Sequence, residues 1–247
     1  MALGGSMKAV STLLLVLIIM VGCAQTNQRS DYDEPTNRSD PNSPAMLNVR
    51  MGVAYFERQD FDLAIEKLKR AISIDPKLAI AHSALALVYS TMGAGNEAAK
   101  HYKASVKYAP NDPIILNNYG TFLCQQGDYK QALEYYQRTL ANPFYKTPET
   151  VHENAGVCLM KDDLFDEAER HFRAALAINP EMNVALYNMA IISAGQDQPL
   201  KARAFIQRLS RLQNLDERLL TVAYQVEKKL GNDKEAKLYL SQLRKLK

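Results

Sequence analysis

A pattern that returns every 34 residues constrains this chain more than anything else in it. Its clearest copy is residues 113–143, PIILNNYGTFLCQQGDYKQALEYYQRTLANP. Leu116, Tyr119, Gly120 and Leu123 fall at helical spacing, Gly127 and Asp128 interrupt them, and Tyr129, Ala132, Leu133, Tyr136 and Leu140 share a second helical face before Pro143. The spacing predicts two antiparallel helices, with small Gly120 and Ala132 where they touch and Tyr119 and Tyr136 filling the space beside them. Steps of 34 lead back from Gly120, Ala132 and Tyr136 to Ala86, Ala98 and Tyr102, then to Gly52, Ala64 and Leu68. A step of 36 leads forward to Gly156, Ala168 and Phe172, after which 34 resumes at Ala190, Ala202 and Ile206, then at Tyr224, Ala236 and Leu240. Pro76, Pro110 and Pro180 punctuate the helix ends. A hairpin of this size cannot bury its apolar faces alone, so the copies must stack.

Six helical hairpins in register, at 45–78, 79–112, 113–148, 149–182, 183–216 and 217–247, resemble the tetratricopeptide (TPR) repeat. The expected fold is all-α, a right-handed superhelical solenoid. Copies five and six are degenerate: they lack the terminal proline, and Tyr224 stands where a small residue is expected. That suits an end repeat that packs on one side. Between copies three and four, ANPFYKTP (141–148) adds two residues, and a proline near each end predicts an ordered turn.

Ahead of the repeats, residues 9–21, AVSTLLLVLIIMV, form an uncharged apolar run of 13 residues, too short to span a bilayer and suited to a signal-peptide core. Lys8 precedes it, and Met7 is an alternative start that would place this cation in the usual basic region. Met20-Val21-Gly22-Cys23 resembles the bacterial lipobox, which implies cleavage after residue 22 and a lipidated Cys23. An Asp after the cysteine commonly retains such lipoproteins at the inner membrane, so Ala24 implies the outer membrane. Residues 25–44 hold one aromatic, no aliphatic residue and three prolines, the composition of a disordered tether. The sequon at Asn37-Arg38-Ser39 is read as chance behind a bacterial leader.

With 30 basic and 27 acidic residues, and a net charge of +3, the chain has no basic field that argues for nucleic acid. No Ser-His-Asp order, glycine-rich phosphate loop or zinc-protease motif is present, so no catalytic residue, cofactor or small-molecule substrate is expected. His82 and His152 occupy one repeat position, and His101 and His171 another. Repeat architecture accounts for them, and no metal site is expected. Cys124 and Cys158 fall near the ends of the first helices of adjacent copies, in a compartment expected to be oxidising. A bridge between them is expected, two buried free thiols being the alternative.

A TPR array usually binds partners on the concave side formed by its first helices, at positions 2, 5, 9, 12 and 13 of each copy. Here those positions give Met46, Val49, Val53 and Phe56 in copy one, and Ile80 and Leu87 in copy two, a largely apolar groove that fits a partner segment. Copies three and four supply Asn117, Thr121, Gln125, Glu153 and Lys161, which are polar. The Lys/Asn arrangement that clamps a C-terminal carboxylate is missing. Lipobox, tether, six copies, LNNYGTFLCQQG and the insertion before VHENAGVCL together resemble the PilF/PilW family of type IV pilus biogenesis lipoproteins, over essentially the whole mature chain. The resemblance implies an outer-membrane pilotin that binds the pilus secretin by contact and not by chemistry. A lipid-anchored adaptor regulating a cell-wall enzyme is the alternative.

Overall fold

The computed structural model describes residues 40–246, and among them every regular element is an α-helix. The twelve helices pair as hairpins: α1 (Pro44–Glu57) with α2 (Phe61–Ile74), α3 (Ala79–Thr91) with α4 (Gly95–Tyr108), and α5 (Pro113–Gln125) with α6 (Tyr129–Leu140). α7 (Pro148–Lys161) and α8 (Phe165–Ile178), α9 (Asn183–Gly195) and α10 (Pro199–Ser210), then α11 (Glu217–Lys229) and α12 (Asp233–Lys245) complete the series. Each helix packs on its hairpin partner, and each first helix also packs on the next first helix, which is the arrangement of a TPR solenoid.

The turn inside every hairpin rests on one left-handed residue at position 15. Gly93, Gly127 and Gly231 take φ of 78°, 84° and 71°, and Gln59, Asp163 and Asp197 take 62°, 57° and 59°. Left-handed backbone costs a side-chain-bearing residue roughly 1–2 kcal/mol, so the three non-glycine turns are held in place by the helices they join. In copy one, the Asp60 carboxylate accepts from the Leu63 amide and caps α2; Asp128 does the same for Gln131 at α6.

Close approach of the two helices explains the small residues. A Cβ on Gly156 would lie 2.7 Å from the Phe172 ring, and one on Gly52 would lie 2.6 Å from Leu68 Cγ. The alanines at position 20, from Ala64 to Ala236, are all buried. Around this seam three apolar clusters overlap along the array, centred on Leu68 and Leu85, on Tyr102 and Tyr136, and on Phe172 and Met189.

Copies five and six are fully built despite their weak pattern. Leu209, Leu219 and Ala223 are buried, and buried Glu227 receives two bonds from Arg203, at 2.8 and 2.6 Å. The two-residue insertion forms a hydrogen-bonded turn, in which Asn142 accepts from the amides of Phe144 and Tyr145. Phe144 points outward, 88% exposed.

Candidate functional site

The first helices stand side by side, and their contacts decide which predicted residues face outward. Position 5 does not. Asn118 donates to Ser83, Asn154 donates to Asn117 at 3.2 Å, and the Ala185 amide donates to Glu153 at 3.0 Å. Position 5 is therefore the seam between neighbouring first helices. Val49 and Asn117, expected to line an open groove, are buried at 3% and 8% exposure and cannot present their side chains to a partner. Phe56 is half-buried with its ring 6.0 Å from that of Phe61, and Met46 packs on the same N-terminal cluster, so both contribute to the core.

Val53, Ile80 and Leu87 do lie exposed, at 38–41%. Val53 and Leu87 hold the same position on adjacent first helices. Burial elsewhere in the repeat exposes a signal that the sequence reading missed. Positions 3 and 7 are buried in every later copy by the preceding hairpin, as at Leu85, Ile115, Val151 and Met189. Copy one follows no hairpin among the described residues, and there Leu47 and Met51 are each 45% exposed. The apolar character of the N-terminal end thus extends beyond the predicted groove.

Further along, Gln125 is exposed and accepts from the Ser90 hydroxyl at 3.2 Å. It borders a small recess of about 180 Å³ with Glu153, Asn154 and Lys161, floored by apolar Val157 and Val184. Burial raises the pKa of the Glu153 carboxyl, against the opposing bond from the Ala185 amide. Cys124 and Cys158 meet at the back of this region as a disulfide joining α5 to α7, with Cα atoms 5.7 Å apart. A second cleft of about 670 Å³ lies between the α7–α8 turn and α9, lined by Leu164, Phe165, Ile191 and Arg218 among others. Cys23 lies outside the described residues.

The histidines are not independent of one another. His82 and His101 sit at positions 4 and 23 of one hairpin, with Nδ1 atoms 3.0 Å apart, and His152 and His171 repeat the arrangement at 3.1 Å. Comparing like positions between copies hid this; comparing the two positions within a copy would have found it. Burial lowers the His101 pKa to about 4, with His82 adding to the effect, and burial likewise lowers those of His152 and His171.

Comparison with known proteins agrees with this architecture. A TPR repeat profile matches residues 52–93, a second matches 83–145, and a profile of the middle TPR-like domain of cilia and flagella-associated protein 70 matches 123–247. The chain belongs to the tetratricopeptide-repeat family. It is homologous to the type IV pilus assembly protein PilF of Pseudomonas aeruginosa, with 23% identity over 95% of this chain and 92% of that protein. An uncharacterised protein of Haemophilus influenzae is 28% identical over 52% of this chain. Among solved structures, PilW, a widely conserved type IV pilus biogenesis factor, superposes with a TM-score of 0.75 at 27% identity, over 82% of this chain and 93% of that one. P. aeruginosa PilF superposes with a TM-score of 0.78 at 25% identity, over 82% and 91%. Other TPR proteins, such as MamA, share the fold at 18% identity.

Proposed function

We propose that this TPR protein is an outer-membrane lipoprotein, lipidated at Cys23, that binds the secretin subunit of the type IV pilus and promotes its localisation and multimerisation. The observation that supports this reading most is end-to-end coverage. TPR profiles occur in many unrelated adaptors, but the likeness to PilF runs through 95% of this chain and 92% of that one, and so includes the region ahead of the repeats. The protein acts by contact: the exposed apolar positions Val53, Ile80 and Leu87 receive a secretin segment, and the recess around Gln125 continues the same face.

Affinity capture with the full chain tests this. Secretin should be recovered, and Val53→Glu combined with Leu87→Glu should weaken capture by about tenfold to a hundredfold: full burial of a large apolar side chain is worth roughly 1.5–3 kcal/mol, and each of these has about two fifths of its surface left to bury. The melting temperature should hardly move, because both side chains already face solvent. Recovery of a cell-wall synthase in place of secretin would overturn the reading in favour of the adaptor. Undiminished secretin capture by the folded double variant would move the contact to the recess around Gln125.

A further inference from the structure

We propose that the two histidine pairs, His82 with His101 and His152 with His171, are metal sites, each chelating one zinc-like transition-metal ion through the two facing Nδ1 atoms. All four histidines of the chain are in these pairs. The Nδ1 atoms stand 3.0 and 3.1 Å apart, across the two helices of one hairpin. Two Zn–N bonds of 2.0–2.1 Å at a tetrahedral angle require about 3.3 Å, so a shift of about 0.3 Å admits the ion. The ring separation repeats as well, with centroids 5.3 Å apart in both pairs, at interplanar angles of 31° and 48°.

Surroundings prepare the first pair for this role. His82 Nε2 lies 3.1 Å from the Pro76 carbonyl oxygen; a proton on Nε2 donates there and leaves Nδ1 with its lone pair facing His101. The rings of Tyr108 and Tyr89 pack on His82 and His101, with centroids 5.5 and 5.8 Å away.

The sequence offers an independent argument. Positions 4 and 23 are Leu116 with Tyr135, Leu186 with Phe205, and Leu220 with Tyr239 in copies three, five and six, and Asn48 with Lys67 in copy one. In copies two and four both partners are exchanged together for imidazole. Among the described residues no third His, Cys, Asp or Glu joins either pair. Two coordination positions are thus left for water or for a donor from a bound protein, and imidazole nitrogens favour zinc, copper or nickel over calcium or magnesium.

Calorimetric titration of the full chain with Zn²⁺ at neutral pH tests the proposal, read beside histidine-selective ¹⁵N NMR, whose spectrum contains these four residues alone. The expected result is two ions per chain, with the Nδ1 resonances of all four rings displaced. His101→Gln and His171→Gln, which keep a hydrogen-bonding partner for His82 and His152, should each remove one ion, and together both, while circular dichroism shows the helices intact. Zn²⁺ that leaves the Nδ1 resonances unmoved, or two ions still bound by the folded double variant, would overturn it and leave the pairs as hydrogen-bonded imidazoles.

Discussion

The two ends of the array are held by different means. Copies one and two follow the repeat pattern closely, yet leave Leu47, Met51, Val53, Ile80 and Leu87 exposed. Copies five and six break the pattern, yet bury Leu209, Leu219 and Ala223 and tie their helices with ions: Arg203 to Glu227 across hairpins, Lys201 to Glu169, and Lys229 to Asp197. Fidelity to the repeat pattern therefore does not measure how completely a copy is packed. Apolar side chains stay exposed at both ends, Val184, Leu200 and Leu238 among them in copies five and six, and what distinguishes the C-terminal end is a buried carboxylate held by a bidentate arginine.

Breaking the ion pair should have the largest effect. Arg203→Ala leaves the buried Glu227 carboxylate without its counter-charge and with only the Asn232 side-chain amide donating to it, a loss of about 3–5 kcal/mol, and thermal unfolding should reveal it as a fall in melting temperature localised to the last two copies. Arg203→Met with Glu227→Leu should recover most of it. An unchanged melting temperature would mean that the C-terminal end does not depend on this pair.

Next in size is the joint between the two ends. Replacing Cys124 and Cys158 together by Ser releases a crosslink with a sequence separation of 34. The expected cost is about 4 kcal/mol by the chain-entropy argument, less any relaxation of the native contacts. Reductant should have the same effect on the wild type and none on the variant; two reactive thiols in unreduced, unfolded protein would show that the bridge is not made.

Gly156→Ala sharpens the contrast between a tight hairpin and a loose one. Its Cβ would lie 2.7 Å from the Phe172 ring, and overpacking of this kind costs about 1–3 kcal/mol in chemical denaturation. Tyr224, at the same position of copy six, is half-buried, so Tyr224→Ala should cost less. The smallest effect is a gain: Gln59→Gly, at φ 62°, should stabilise copy one by about 1 kcal/mol, while the same change one residue earlier, at Arg58, should not.

What the sequence made legible was whatever two touching helices demand of a residue type. Gly120, Gly156 and the alanines from Ala64 to Ala236 could be read because contact at close range admits nothing larger, and the αα-turn at Gly127 because glycine enters left-handed backbone freely. The candidate surface was legible only in part. Val53, Ile80 and Leu87 are exposed as expected, but Val49 and Asn117 are covered by the neighbouring first helix, which a helical wheel drawn for one helix cannot show. The histidine pairs escaped for a related reason: repeats invite comparison down a column of equivalent positions, whereas His82 meets His101 across the hairpin.

The bridge between α5 and α7 also has a mechanical meaning. A chain pulled by its two ends transmits load along its covalent path, and at Cys124 that path passes through sulfur directly to Cys158. The second helix of copy three and the inserted turn with Phe144 lie inside the bypassed loop and carry no tension. At about 3.3–3.6 Å per extended residue, the 34-residue separation withholds roughly 110–120 Å of contour length until the sulfurs part. Under stretching, the oxidised protein would yield from its two ends inward and keep its centre folded, with reduction acting as the release.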